Sequence, residues 1–322
     1  MKRTLSIVLP FIFLSFIGRE KMKHSFESEN IKCDYETSQG RIDGNYVSYY
    51  KNGKKKAEGE FENNYRIGKW TVWDSTGRVR MQRDYSDAFT FKRLLPEVPK
   101  DKVIELLNVP QYATEYNKDG FIEYFKLRER AVLWAKRVWR FVTPNDNTIL
   151  FENDKLFSIL NKNIFNKNIT PYQVNDDEFR NELLVASIDT SSIRVIDYKI
   201  KEDCFFDNER LVSESRIIGI CPVVVNKNKQ DTIDLYWVYF PQIRKYLAQE
   251  KIQPTEGLPA KIKTFDDLFF YRYFYGQIYK ESNVYDRPIS SYKTGKEIEK
   301  EAERIEINII ESEHDIWISL TE

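Results

Sequence analysis

The chain is poor in the residues that most often carry enzyme chemistry. Its 322 residues include only two histidines and three cysteines, Cys33, Cys204 and Cys221. So few cysteines exclude a scaffold held by many disulfides, although the sequence leaves open whether any two of them pair. Motifs typical of phosphate-binding loops, dinucleotide folds, serine hydrolases, zinc proteases and dithiol oxidoreductases are also missing. We therefore expect no enzymatic activity, no cofactor and no resident metal.

Neither sign of charge predominates. There are 50 basic and 50 acidic residues, so the formal net charge is +0 and no overall basic field exists to hold nucleic acid. The densest basic cluster, "KNGKKK" at 51–56, lacks aromatic side chains on which bases could stack. We expect no nucleic-acid partner. The aromatic content of 15% instead predicts a packed core.

One long apolar run stands at the N-terminus. The segment "MKRTLSIVLPFIFLSFIG" has a basic start followed by apolar residues from Leu5 to Ile17. This run is short for a membrane span and has the pattern of a secretory signal, so we interpret residues 1–18 as a signal peptide. A membrane anchor and an apolar strand of a cytosolic protein are the alternatives. Because no cysteine ends the run, we do not expect a lipid-anchored protein.

A repeat of 24 residues follows. The segment "GNYVSYYKNGKKKAEGEF" (44–61) aligns with "GKWTVWDSTGRVRMQRDY" (68–85), matching Tyr46 with Trp70. Each unit is typical of a hairpin with a glycine turn, and stacked hairpins would bury a ladder of aromatic residues. The pattern resembles bacterial variant MORN repeats, a resemblance that implies a fold and says almost nothing about function.

The remaining chain divides into a connector and a larger domain. Prolines punctuate the connector, in which "DKVIELL" (101–107) predicts a short helix. Beyond it, strand-like and helix-like segments alternate irregularly, which favours the α+β class, with a mixed antiparallel sheet and packed helices behind a small all-β repeat module. We assign a signal peptide at 1–18, MORN-like hairpin repeats at 31–90, a linker at 91–118 and the α+β domain at 119–322.

Several elements of this domain are specific expectations. The segments 192–206 and 211–225 predict a hairpin in which Phe206 pairs with Leu211. That register places Cys204 opposite Ser213 and disfavours a disulfide from Cys204 to Cys221. Further expectations are a central strand at 234–240, a helix from Pro241, a buried helix at 264–280 with a capping box, and a helix at 296–318. The last helix has apolar residues at Ile298, Ala302, Ile305 and Ile309, and its remaining, Glu-rich surface is expected to be solvated.

The stretch "KEDCFFDNER" (201–210) brings a thiol next to carboxylates. A catalytic cysteine needs a base, and neither His24 nor His314 has a spacing that supplies one. A solvated hairpin tip accounts for the stretch without chemistry. Two alternatives stay open: a Cys204–His314 pair oriented by Asp315, and a metal site formed by Glu202, Asp203 and His314.

Five ordered blocks in this domain resemble one family. They are "VLWAKRVWR", "YKIKEDCFFDNERLVSESRIIGICPV", "LYWVYFPQIRKYLA", "FDDLFFYRYFYGQIYKESNVYDRPISSY" and "ERIEINIIESEHDIW", spread over about 130–318. In this order they resemble the gliding motility family GldN, also called PorN. The family commonly has tryptophan where this chain has Cys204, which argues against a general role for the thiol. The repeats lie outside the usual family domain.

The resemblance implies a non-enzymatic part of the type IX secretion system of Bacteroidetes. Members are expected in the periplasm, held at the inner face of the outer membrane by a partner. The implied partners are an outer-membrane lipoprotein (GldK or PorK), with which the protein assembles in a ring, and the periplasmic part of the motor protein GldM or PorM. An envelope-associated interaction module that acts through its repeats outside secretion, and a periplasmic metal-binding hydrolase, are the other hypotheses.

Aromatic and arginine side chains on rigid elements are the usual anchors of such assemblies. Three segments of the domain carry them together, at 134–140, 271–275 and 285–287, and the polar loop at 281–295 is of the kind that often binds partners. We also expect adjacent charges in this loop to fix it through bonds to the backbone. The candidate partner-binding residues are Trp134, Trp139, Arg140, Tyr285, Asp286 and Arg287.

Overall fold

A computed structural model describes most of the chain. The described residues are 19–25, 31–38, 41–85, 91–95, 116–188, 190, 193–226, 231–255 and 258–321. The signal peptide at 1–18 and the short helix at 101–107 lie outside them and stay predictions. Among the described residues, no helix combines the length and apolar content needed to cross a membrane.

The N-terminal part forms one antiparallel sheet of seven strands that follow one another in chain order. The strands are β1 (Glu20–Ser25), β2 (Ile31–Ser38), β3 (Arg41–Tyr49), β4 (Lys55–Glu62), β5 (Tyr65–Trp73), β6 (Val79–Tyr85) and β7 (Phe91–Leu95). The two aligned repeats are the β3–β4 and β5–β6 hairpins. The sheet also extends past the residues assigned to the repeats, because β1 precedes them and β7 follows them.

The repeat hairpins turn at glycine and bury the expected aromatic ladder. Gly53 and Gly77 have φ angles of 79° and 92°, which glycine adopts without the steric cost that a side chain would bring. Tyr46 and Trp70 are fully buried, and their ring centroids lie 5.7 Å apart. Gly59 leaves room for the Trp70 ring, since a β-carbon there would lie 2.2 Å from it. The 24-residue period therefore stacks one aromatic ring on the next.

The second sheet also has seven strands, namely β8 (Val132–Val142), β9 (Pro171–Tyr172), β10 (Ile193–Asp207), β11 (Val212–Asn226), β12 (Thr232–Asp234), β13 (Trp237–Tyr239) and β14 (Gln277–Glu281). Their order is β14-β8-β10-β11-β13-β9, and β12 pairs with β11. All of these pairs are antiparallel. The fold is therefore α+β, as the sequence predicts. The central strand expected at 234–240 is instead the three-residue β13, second from one edge.

The β10–β11 hairpin exists, but its register differs from the prediction. Cys204 lies opposite Ser215 rather than Ser213. Asp207 remains in the strand because its carboxylate accepts hydrogen bonds from the backbone N–H groups of Glu209 and Arg210, which moves the turn one residue along the chain. Leu211, expected to pair, lies in the turn at a φ of 58°. All three cysteines are free and buried.

Five α-helices pack around the second sheet in the described part of the chain. They are α1 (Thr148–Phe151), α2 (Lys155–Phe165), α3 (Phe240–Leu247), α4 (Phe265–Phe270) and α5 (Lys296–Thr321). Thr264 and Asp267 form the predicted capping box. The expectation of one helix over 264–280 is wrong, because α4 ends at Phe270 and Arg272 adopts a φ of 50°. The chain then continues as β14, which pairs with β8.

Helix α5 lies between the two sheets. Its apolar stripe Ile298, Ala302, Ile305 and Ile309 packs against the second sheet, as the sequence predicts. The expectation that the rest of the helix is solvated is wrong. A second stripe, which includes Ile307 and Trp317, packs against the repeat sheet. Three polar side chains on that side are also buried, namely Glu311, Glu313 and His314.

Candidate partner-binding surface

The loop between β14 and α5 presents two exposed apolar side chains. Val284 is 98% exposed and Tyr285 is 74% exposed. Two hydrogen bonds hold the loop, since Asn283 accepts from the N–H of Tyr285 at 2.9 Å through Oδ1 and from the N–H of Asp286 at 3.1 Å through its backbone carbonyl. Because the loop is already held by internal hydrogen bonds, little conformational entropy is lost when a partner binds its exposed apolar side chains.

The charged side chains of this loop contact other side chains, whereas the sequence predicts bonds from them to the backbone. Asp286 forms an ion pair with Lys280 of β14 at 2.8 Å. The Arg287 guanidinium lies 4.9 Å from the ring centroid of Tyr285 and 4.8 Å from that of Tyr292. The cation–π contacts hold Tyr285 in an outward position. The loop from 282 to 288, called the docking loop below, is therefore a shaped surface feature.

Trp139 lies beside the docking loop on the outer face of β8. Its indole N–H donates to Asp177 at 2.6 Å, and Lys280 covers the ring at 4.3 Å from its centroid. The side chain is only 4% exposed. Lys280 thus connects Trp139 to Asp286, and the structure brings these two predicted residues together. A partner would reach Trp139 only after Lys280 moves aside.

A groove of about 730 Å³ extends from the docking loop along the outer face of the second sheet. Its lining includes Asp286, Trp139 and the ion pair of Arg137 with Asp203, whose two hydrogen bonds measure 2.6 and 3.0 Å. Ala135, the next outward residue of β8, is exposed in the groove. Apolar, aromatic and arginine groups therefore line one continuous concave surface, as in many protein interfaces.

Trp134 and Arg140 lie on the opposite, inner face. Trp134 is half-buried and packs in the apolar clusters beneath α5. Arg140 is buried, donates to Glu202 and to the carbonyl of Gly276 at 2.9 Å, and pairs with Glu306 of α5 at 2.7 Å. In the isolated chain, both residues therefore hold α5 on the second sheet, and their contact with a partner stays a prediction.

Glu202 is the centre of this inner ion network. It is fully buried and accepts hydrogen bonds from both Arg140 and Arg272. Burial alone would raise the pKa of Glu202, but the two guanidinium groups lower it to about 2. The carboxylate is thus ionised at neutral pH and bound by two arginines, which makes it a structural anion.

The two catalytic or metal-binding alternatives have no assembled geometry. The Cys204 thiol accepts a hydrogen bond from Ser215 Oγ at 3.2 Å, and burial raises its pKa to about 12. His314 contacts Glu311 and Arg66 through its two ring nitrogens, whereas Glu202 and Asp203 contact different arginines. In the described part of the chain, no group of three or more His, Cys, Asp or Glu side chains is placed to hold a metal.

Sequence reasoning missed the contact between α5 and the repeat sheet. Glu311 accepts hydrogen bonds from Tyr46 Oη at 2.6 Å and Lys56 Nζ at 2.7 Å, both in repeat strands. Arg66 pairs with Glu313 at 2.6 Å. The sequence signals this contact only through Glu311, His314 and Trp317, which recur at helical spacing. They lie on the side of α5 opposite to the apolar stripe that begins at Ile298.

We expect this contact to weaken in acid. His314 Nδ1 lies 3.2 Å from Glu311 Oε1, and Nε2 lies 3.3 Å from Arg66 Nη2, an arrangement that suits a neutral ring accepting from the guanidinium. Burial lowers the pKa of His314, against the opposing effect of Glu311 and with a smaller contribution from Arg66 and Lys56. As pH falls, the His314 ring therefore takes up a proton in the unfolded chain before it does so in the folded protein. The free energy of unfolding should then decrease below about pH 6.5, the ordinary pKa of histidine. The decrease is at most about 1.4 kcal/mol per pH unit.

Urea unfolding at pH 7.5 and 5.5 measures this effect, with a His314→Gln variant as the control. The variant should lose part of the pH dependence. An unchanged difference between the two pH values would assign the acid sensitivity to other groups.

Comparison with known proteins is informative for one part of the chain. The family model for the gliding motility associated protein GldN matches residues 127–318. No curated protein matches the sequence. The matched range contains the docking loop, the outer groove and the inner ion network, while the repeat sheet precedes it. The chain therefore belongs to the GldN family, whose members are components of gliding motility and type IX secretion.

Proposed function

We propose that this protein is a non-enzymatic periplasmic scaffold of the type IX secretion machinery. The observation that carries the proposal is the GldN match over 127–318, which covers the docking loop and nearly all of α5. In this role the protein assembles in a ring with an outer-membrane lipoprotein of the GldK or PorK type. It also contacts the periplasmic domain of an inner-membrane motor protein of the GldM or PorM type. Its export depends on the signal peptide predicted at 1–18.

The outer surface supports a scaffold role. The docking loop and the groove together offer exposed apolar groups, an aromatic ring held by arginine, and ion pairs at the margin. These features match the anchor and rim of protein interfaces. They lie on the edge of a rigid antiparallel sheet, which favours a contact of fixed geometry.

The inner groups support the absence of catalysis. Glu202, Cys204 and His314 are buried, and each is occupied by an internal hydrogen bond or ion pair. A catalytic acid, base or nucleophile must instead meet a substrate atom within hydrogen-bond reach. The buried charges around Glu202 and His314 instead hold the second sheet, α5 and the repeat sheet together.

Replacing Tyr285 with alanine tests the docking loop. We expect the variant to fold normally and to bind the lipoprotein about 10-fold or more weakly, since exposed aromatic anchors dominate many interfaces. Co-purification of the tagged protein from envelopes, followed by affinity measurement with the purified lipoprotein, gives the readout. Leu184→Ala is the matched control, because Leu184 is also a loop residue and is 79% exposed.

Equal binding of the lipoprotein by the two variants would show that the docking loop is not part of the interface. If deletion of the gene abolished secretion but Tyr285→Ala bound the lipoprotein normally, the scaffold role would stand and the contact would lie elsewhere on the protein. Normal secretion in the deletion, with no envelope partner recovered, would contradict the scaffold role itself.

The second candidate is an envelope interaction module that acts through the MORN-like repeats. One observation favours it. The face of the repeat sheet away from α5 is polar, with exposed carboxylates such as Glu60 and Asp84. Normal secretion in a gene deletion, together with capture of a partner by the repeat face, would support this candidate over the first.

A further inference from the structure

A cavity of about 540 Å³ lies where the repeat sheet, the second sheet and α5 meet. This volume falls within the range of small-molecule sites. Its walls include Trp134, Phe270, Phe274 and Tyr124 of the second domain, together with Tyr65 of the repeat sheet. The cavity therefore combines aromatic walls from two structural units, and the repeats complete it.

One side of the cavity is a stripe of α5. Glu306, Ile309, Ile310 and Glu313 line it at positions i, i+3, i+4 and i+7. Seven residues of helix place the two carboxylates about 10 Å apart, with the two isoleucines between them. The stripe thus gives the cavity two polar ends and an apolar middle.

The charges that line the cavity balance one another. The lining has four basic side chains, Arg66, Lys126, Arg140 and Arg272, and four acidic ones, Glu123, Glu214, Glu306 and Glu313. At one end Arg140 pairs with Glu306 at 2.7 Å, and at the other Arg66 pairs with Glu313 at 2.6 Å. Because the cation and the anion at each end already neutralise one another, neither end offers a free opposite charge to an ionised ligand group, and the lining favours an uncharged ligand.

One polar end also holds two buried groups without a hydrogen-bond partner among the described residues. They are Arg66 Nε and Ser213 Oγ. Both residues line the cavity, and both contact Glu313, which accepts from the Ser213 backbone N–H at 3.1 Å. Arg66 Nε carries an N–H and Ser213 Oγ an O–H, and each would be satisfied by an acceptor oxygen, since a buried polar group left unpaired is costly.

We propose that this cavity is a binding site for an uncharged amphiphile. Its apolar part, about 10 Å long, would lie along Ile309 and Ile310 between the aromatic walls. Its polar end would carry carbonyl or hydroxyl oxygens that accept from Arg66 Nε and Ser213 Oγ. The proposal goes beyond the scaffold role and does not depend on it, because the docking loop lies on the other face of the sheet.

Calorimetric titration of the full chain with monodecanoylglycerol tests the site, below the concentration at which this probe aggregates. Decanoate, which has the same chain and a charged end, is the comparison. We expect the neutral probe to bind and decanoate to bind more weakly. Ser213→Ala should lower the affinity for the neutral probe by about 2- to 12-fold, which corresponds to the loss of one neutral hydrogen bond.

Ser215→Ala is the matched control. Ser215 lines the same wall two residues along β11, but its hydroxyl already donates to Cys204 Sγ at 3.2 Å. We expect the affinity of the Ser215→Ala variant for monodecanoylglycerol to change less than twofold. The proposal is overturned if the wild-type chain does not bind monodecanoylglycerol, if decanoate binds equally well, or if the two serine variants behave alike.

Discussion

Replacing Glu202 with glutamine is expected to destabilise the protein by about 3 to 5 kcal/mol. The substitution removes the charge that Arg140 and Arg272 share, and the loss of one partner from a buried ion pair typically costs this much. Glu306 still pairs with Arg140 at 2.7 Å, but no second carboxylate is seen on Arg272 within the described residues. Urea unfolding monitored by tryptophan fluorescence gives the free energy of unfolding directly.

Asp203→Asn is the matched control for this prediction. Asp203 is the next residue of β10 and pairs with Arg137 on the outer face, where both side chains are about one-third exposed. An exposed pair of this kind contributes about 0 to 1 kcal/mol. If the two variants lost the same small amount, the inner network would not hold the domain together.

The same carboxylate has a defined pH signature. Because the folded pKa of Glu202 is lowered to about 2, its contribution to stability is complete above the ordinary value of 4.5 and is lost as pH falls toward 2. Glu202→Gln should remove this part of the acid sensitivity. The acid effect at His314 begins at higher pH, so unfolding at several pH values separates the two groups.

Replacing Trp317 with alanine is expected to cost about 3 to 5 kcal/mol and to loosen the repeat sheet from α5. The side chain is 2% exposed and packs with Val72, Met81 and Phe206, which come from both sheets. Its indole N–H donates to the carbonyl of Leu211 at 3.2 Å. Removing a buried tryptophan leaves a large cavity at the point where three units meet. The Leu211 carbonyl then keeps the hydrogen bond from Arg83 Nη2 at 2.9 Å.

Hydrogen exchange shows where this stability is lost. We expect amides of β4 to β6 and of the C-terminal half of α5 to exchange faster, while β10 and β11 stay protected. Leu320→Ala, in the same helix but 44% exposed, should change stability by less than about 0.5 kcal/mol. Uniform loss of protection across both sheets would mean that the repeat sheet and the second domain unfold as one unit.

Local patterns predicted much of this fold. The repeat hairpins, the capping box of α4, the start of α3 and the first stripe of α5 all follow from residues near one another in the chain. Such features depend on turn residues and periodicity, which the sequence shows directly. The loop at 281–295 also follows in this way, from polar residues between two ordered segments, while its contact with a partner stays a prediction.

The errors have one local cause and two long-range ones. The register of β10 with β11 depends on the Asp207 carboxylate, which caps the turn. The helix expected over 264–280 ends early, in part because Arg272 reaches the buried Glu202, a residue 70 positions earlier. The buried side of α5 depends on Lys56 and Arg66, which are more than 200 residues away. A Glu-rich helix surface predicts solvent exposure unless its cationic partners are known.

We propose that the GldN domain of this chain assembles with a lipoprotein at the outer membrane. Electron microscopy of envelope complexes, purified through the tagged protein co-expressed with that lipoprotein, shows whether it does. We expect closed rings that contain both proteins, and we expect Tyr285→Ala to reduce their number while Leu184→Ala does not. If the micrographs instead show single particles of the protein without the lipoprotein, at concentrations where the native machinery assembles, the scaffold role is wrong.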